Sequence, residues 1–429
     1  MRFLIVLLLA LSASTNVLAA TYFVDFLVGS DANNGLTKQT PWKRLPGMDN
    51  EKVGPSLASG DLVCLKGGVT WVDRIVATNG VTYRGDCEGW GTGRAQVKTP
   101  ATARVPAAFF CTGCDDVTIA GIEFSNELVT ASYQGAAYIE GTDTNAVTNF
   151  RAENCVFSNS GQGLMIRKNT NGATLVNIEA FNNSYPSALD PANSSGILVA
   201  GPNTTNISIV GALLHNNGAF TQAGGRNEGR GLTISDGASS VHVENVFSYA
   251  NGSLDGEEGS ALEISNASYV TITHSRFEGT TAAEMKNKAN FLIIDNNIFK
   301  GTSSGVFQYG FFGGNDSVGS TITNNVIIST KNLSNAAVKL SSPGTTTSFM
   351  NNFVVLPPEH AAAAIEFNTA GSFWQMESWN DHLNGNLVTG GKTYSIVVLP
   401  GAQFVMRSLE QHRSAYPLQA VTDRVINGR

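Results

Sequence analysis

The chain has 429 residues, a formal net charge of -7, only 14% charged residues and 45 glycines. The acidic balance argues against a generic nucleic-acid binder, which carries a basic face, but leaves room for an anionic ligand, since a basic patch or a bound cation reverses the field locally. Glycine with abundant Asn, Ser, Thr and β-branched residues suits many short strands joined by tight turns; a length that would ordinarily mean two or three domains then fits one repetitive body.

Residues 1–20 run from Arg2 through the apolar FLIVLLLAL to small residues ending in VLAA, the layout of a secretory signal peptide. The expectation is a secreted chain, extracellular or periplasmic, starting near Ala20 or Thr21 and with no later membrane-spanning stretch. Export permits disulfides, and all five cysteines fall in the first 155 residues. Cys64 with Cys87 is the preferred pair. Cys111 and Cys114 form a CTGC without a second half-site at metal spacing, so they are read as a local disulfide or two structural thiols. Cys155, in ENCVF, is read as a buried rung.

From residue 101 a β-rich run recurs as DDVTIAGIEF, TNFRAENCVF, GATLVNIEAF, TNISIVGALL, SSVHVENVF, SYVTITHSRF and ANFLIIDNNIF, ending at Phe124, Phe157, Phe181, Leu214, Phe247, Phe277 and Phe299. A shorter strand follows most of them: AAYIEG, GLMIRKN, GILVAG, GLTISDG, SALEISN, AAEMKN, GVFQYG, AAVKLS and AAIEFN. No helical 3.6-residue pattern lies between, so like strands are expected to stack coil on coil. The predicted fold is an all-β, single-domain right-handed parallel β-helix, with a sandwich or propeller as the alternative. The parts are 1–20 as leader, 21–100 as N-terminal strand, cap and first coils, 101–399 as coils, and 400–429 as a C-terminal helical or irregular cap around MRSLEQHRSAY.

Alternation along a strand sends Leu232 and Ile234 inward and Thr233 and Ser235 outward. Carried across the coils, that phase gives one outer column of Tyr138, Met165, Leu198, Thr233, Glu263, Glu284, Phe307, Lys339 and Glu366. Its neighbour reads Glu140, Arg167, Ala200, Ser235, Ser265, Lys286, Tyr309, Ser341 and Asn368. Glu263 and Glu284 then lie one rung apart with Lys286 beside them, and two carboxylates so close repel unless a cation or a proton relieves them. Ca2+ fits as an oxygen-seeking extracellular cation. Asp236, Asp255, Glu257 and Glu258 are further candidate ligands. The alternative is a solvated surface ion pair of little energetic weight.

The opening TYFVDFLVGSDANNGLTKQTPWKRL, followed by SGDLVCLKGGVTW, resembles the start of secreted β-helix proteins that act on carbohydrate. With the repeats, nearly the whole mature chain resembles the pectate-lyase-like superfamily. The Glu263, Glu284 and Lys286 set is similar to the chondroitinase B and alginate lyase group, in which acidic residues hold calcium beside a lysine base. The resemblance implies a polysaccharide lyase that cleaves a uronic-acid polymer by β-elimination: a cation neutralises the sugar carboxylate, and Lys286 takes the C5 proton. Tyr309, Arg276 or His274 are the candidate acids, and Arg167, Lys168, Arg226, Arg230 and Lys339 the candidate partners of substrate carboxylates. The expected partner is an acidic polysaccharide, without nucleic acid or membrane, and the expected state is a monomer. Two other functions stay open: a non-catalytic carbohydrate-binding surface protein, and a glycoside hydrolase using Glu263 with Glu284.

Overall fold

A computed structural model describes residues 19–46, 48, 56–99, 107–126, 134–184, 194–218, 229–252, 259–302, 306–311, 317–331, 336–341, 347–357, 365–368, 387–389 and 396–399. Residues 1–18 of the expected leader 1–20 and the whole of the expected C-terminal cap 400–429 lie outside them. The described strands form three long sheets. Sheet I runs from Thr21–Val24 to Ser348–Met350, sheet II from Thr70–Val72 to Leu387–Thr389, and sheet III from Ile75–Val76 to Ile396–Leu399. One coil visits them in the order I, II, III: Ser239–Glu244, Phe247–Asn251 and Gly259–Ser265 lead to Ser268–Thr273 in sheet I again. Strands of successive coils pair in parallel throughout. This is the right-handed parallel β-helix that the repeats predict. No described helix is long and apolar enough to cross a membrane.

The interior is built from columns of like residues. In sheet I, Ile207, Val241 and Val270 stand in register, as do Ile209, Val243 and Ile272, all within 1% of complete burial. In sheet III one column reads Ala137, Leu164, Ile197, Leu232, Leu262, Ala283 and Phe307. No coil could bury these side chains alone, so stacking supplies the core. Phenylalanine is the marker in sheet II, where Phe124 stacks on Phe157 at 5.8 Å and Phe277 on Phe299 at 5.6 Å between ring centroids. Two predicted markers are corrected: the inward column passes through Ala180 and Ser248, which leaves Phe181 and Phe247 on the outer face.

Corners carry their own code. In the dipeptides Asn296-Asn297, Asn324-Asn325 and Asn351-Asn352 the first residue takes a left-handed φ of 55 to 58°, which asparagine tolerates better than most residues. The second turns into the wall, where Asn297 Nδ2 donates to Asn325 Oδ1 at 3.1 Å and Asn325 Nδ2 to Asn352 Oδ1 at 2.9 Å. Asn325 Oδ1 also accepts the backbone N–H of Asn297 at 2.9 Å, and Asn325 Nδ2 donates to the Ile294 carbonyl at 2.9 Å. Asn325→Ala therefore strands buried polar groups on both neighbouring coils and is expected to cost about 2–3 kcal/mol in urea denaturation. A loss near zero would mean that water replaces the amide.

Cys64 and Cys87 are bonded as expected, with Cα atoms 5.8 Å apart, and Cys111 is bonded to Cys114. Cys155 is a buried thiol, and burial pushes its pKa up to about 12, far from a reactive thiolate.

Candidate functional site

The outer face of sheet III carries the charged residues that the alternation predicts. Tyr138 pairs with Met165, Met165 with Leu198, Leu198 with Thr233, Thr233 with Glu263, and Glu263 with Glu284. The neighbouring column runs Glu140, Arg167, Ala200, Ser235, Ser265, Lys286. Lys286 Nζ lies 3.3 Å from Glu284 Oε2 on its own strand and 3.4 Å from Glu263 Oε2 one rung back. Arg230, from the strand before, forms an ion pair through Nε with the same Glu263 oxygen. The positions paired with Arg230 on the next coils are Ser260 and Thr281, small side chains that leave room for the guanidinium.

Two layers result. Arg230 and Glu263 are closed off, with side chains 5% and 7% exposed, whereas Lys286 and Glu284 keep 17% and 14%. Arg230 was expected to meet a substrate carboxylate; that reading is corrected, because it is buried against Glu263. Burial lifts the Glu263 carboxyl above its ordinary 4.5, and Glu284 adds to the rise, while Arg230 and Lys286 pull it back without cancelling it. The folded chain thus holds more of this proton than the unfolded chain just above pH 4.5. Stability should fall as pH rises from there and level off once the folded value is passed. Thermal melts across that range are expected to lose this segment of slope in Glu263→Gln; a wild-type slope in the variant would assign it to other groups.

Several expected members are elsewhere. Tyr309 faces the core rather than the outer surface, because it pairs with the inward Met285; the register shifts beyond it, at Lys286, whose partner is Phe311. Gly310, at φ 73°, supplies the left-handed residue of this bulge. Tyr309 is fully buried, its hydroxyl donating to Ser320 Oγ at 2.9 Å, and burial raises its pKa, so it is no candidate acid for the Lys286 site. Phe307 is likewise inward, and Gln308 takes the outer position between Glu284 and Lys339. The polar residue between two aromatics was the signal in GVFQYG.

Arg276 belongs to sheet II, paired with Glu278 and lying 5.3 Å over the Phe247 ring, so it is corrected out of the site. His274 stands at a sheet I corner beside Glu244. Asp236 follows Ser235 in the next turn, exposed at φ 56° and accepting from Ser235 Oγ, apart from the two carboxylates.

At the other end of the face Tyr138 stacks on Phe110 at 5.4 Å and donates to Glu140, and Arg167 Nη1 donates to its hydroxyl at 3.2 Å. Burial and the Glu140 carboxylate push the Tyr138 phenol up to about 12 against the pull of Arg167. Arg167 is four rungs from Lys286, roughly 19 Å at the strand spacing. Lys168 pairs with Asp143 at 2.5 Å, and Lys339 lies on the Glu284 column two rungs on. Arg226, Asp255, Glu257 and Glu258 lie outside the described residues.

A calcium ion would need more oxygen ligands than this cluster gives. Among the described residues no group of three or more His, Cys, Asp or Glu is placed to hold a metal. Glu263 and Glu284 already face two protein cations, so the described donor set does not fit Ca2+ by itself.

No family model matches the chain, and no curated protein matches it. Solved structures do. The surface adhesin PfbA of Streptococcus pneumoniae superposes with a TM-score of 0.52 at 11% identity, covering 79% of this chain and 91% of that one. The fold is that of the parallel β-helix proteins. Pectate lyase Pel9A gives a TM-score of 0.46 at 17% identity over 88% of this chain and 80% of that one. The Dettilon tailspike gp208 gives 0.46 at 14% over 79% of this chain, which spans 62% of the tailspike. A shared fold does not fix function, which has to be read from the site.

Proposed function

We propose that the chain is a secreted polysaccharide lyase that cleaves a uronic-acid polymer at the outer face of sheet III, with Lys286 as the proton-transfer residue. One observation carries the reading: Lys286 is a half-buried cation 3.4 Å from a buried carboxylate whose proton affinity is raised. A lysine must be neutral to accept the C5 proton, and Glu263 can take the ammonium proton when substrate shuts water out. The C5–H pair then forms the C4–C5 double bond as the glycosidic C4–O bond breaks, and the Lys286 ammonium returns a proton to the departing oxygen. Lys339, two rungs along the same column, is a described cation within the run of a bound polymer. No step is assigned to calcium; binding it here would take oxygen ligands beyond Glu263 and Glu284.

Incubation with polygalacturonate, alginate and chondroitin sulfate, with and without a chelator, should release product with the ultraviolet absorbance of an unsaturated uronate on at least one of them. The placement of Glu263 and Glu284 on adjacent rungs favours a second reading as a glycoside hydrolase that uses the two carboxylates. New reducing ends without double bonds would select it; polymer retained without any new ends would mean a binding protein.

A further inference from the structure

Among the described residues, successive coils enter sheet I through a residue with a left-handed backbone: Gly60, Gly80, Asp116, Asn149, Gly172, Asn206, Ser240, Tyr269, Phe291 and Gly319, with φ between 52 and 94°. Pairing of the residues just before them, Asp115 to Thr148, Asn171, Thr205, Ser239, Ser268 and Asn290, puts them in one column. Glycine, asparagine, aspartate or serine fills it except at two places. A bulky side chain at positive φ is strained and persists where its surroundings hold it, so two adjacent aromatics here call for a cause.

Both rings are outside the core. Tyr269 is 58% exposed and Phe291 43%, and they stack at 5.0 Å between centroids and 12° between planes. Gly319 lies against the far side of Phe291, where an added Cβ would come within 2.4 Å of the ring. On the far side of Tyr269 the next position is Ser240, small and exposed, and among the described residues no ring other than Phe291 stacks on Tyr269. The platform adjoins the charged site along the chain: Ser265 leads through Asn266 to Tyr269, and Lys286 through Asn287 and the exposed Lys288 to Phe291.

We infer that Tyr269, backed by Phe291, is a sugar-binding platform for the polymer that occupies the Lys286 site, with Lys288 receiving a carboxylate of the same chain. The apolar C–H face of a pyranose packs on an aromatic ring, and an adjacent cation selects an acidic sugar. The inference rests on the acidic-polysaccharide reading of that site and extends it round the corner from sheet III to sheet I.

The test is calorimetric titration of polygalacturonate, alginate and chondroitin sulfate into Lys286→Ala protein, which removes turnover, with Tyr269→Asn, Phe291→Asn or Tyr269→Phe added. Asparagine already occupies this column at Asn149 and Asn206, so the Asn variants should melt no lower than the parent. Tyr269→Asn should weaken binding of the preferred polymer on the order of tenfold, with Tyr269→Phe close to the parent. Unchanged affinity in Tyr269→Asn, or no binding of any of the three by the parent, overturns the platform. Binding that depends on Tyr269 in a wild-type chain forming no unsaturated product overturns the lyase reading and leaves the platform standing.

Discussion

Lys286→Ala is expected to lower kcat on the responsive polymer by about three orders of magnitude, the scale of losing a positioned proton-transfer group. KM should move much less, since the binding surface extends well beyond one ammonium. Lys286→Arg should not rescue, because a guanidinium stays charged and cannot take the C5 proton. Lys286→Gln keeps volume and a donor beside Glu263 and Glu284, which separates loss of chemistry from loss of fold. Initial rates followed by ultraviolet absorbance of the unsaturated product, with melting curves on the same preparations, make the test. Activity within tenfold of wild type in the Ala or Gln variant would move the base elsewhere.

Period-two alternation in the short strands was enough to set Tyr138, Met165, Leu198, Thr233, Glu263 and Glu284 in one outer column. It works because one face of each strand must enter the core, and a one-residue slip would bury the charges. It failed at Phe307 and Tyr309, where the carried phase is one residue out: the aromatics fill the core and the polar Gln308 between them takes the outer position, before the register shift at Gly310. Phe181 and Phe247 failed for a related reason: each ends its run like a core marker, but Ala180 and Ser248 fill the interior there.

Other site features depend on contacts between strands that sequence spacing does not display. Arg230 reads as one of several surface arginines until Ser260 and Thr281 are seen to leave space for it beside Glu263. Arg276 sits ten residues before Lys286 in the chain but on another sheet, because a β-helix coil turns a corner between them. The column of left-handed residues was visible only as scattered Gly and Asn, and its exceptions, Tyr269 and Phe291, stood out once the coils were in register.

Arg230→Met is expected to destabilise the fold by about 3–5 kcal/mol, the cost of removing one partner of a buried ion pair. Glu263 would then remain buried with Glu284 one rung away and, among the described residues, the more exposed Lys286 as its remaining ion-pair partner. Its carboxyl would be driven further towards the protonated form, so the loss should shrink as pH is lowered. The double variant Arg230→Met, Glu263→Leu should recover much of the stability, because replacing both ions by apolar groups removes the uncompensated charge. Urea denaturation of the four members of this cycle gives the coupling directly. A single-variant cost below about 1 kcal/mol, the scale of an exposed pair, together with a large rise in KM, would return Arg230 to the role of substrate contact; a large stability loss recovered in the double variant makes it the buried support that holds Glu263 beneath Lys286.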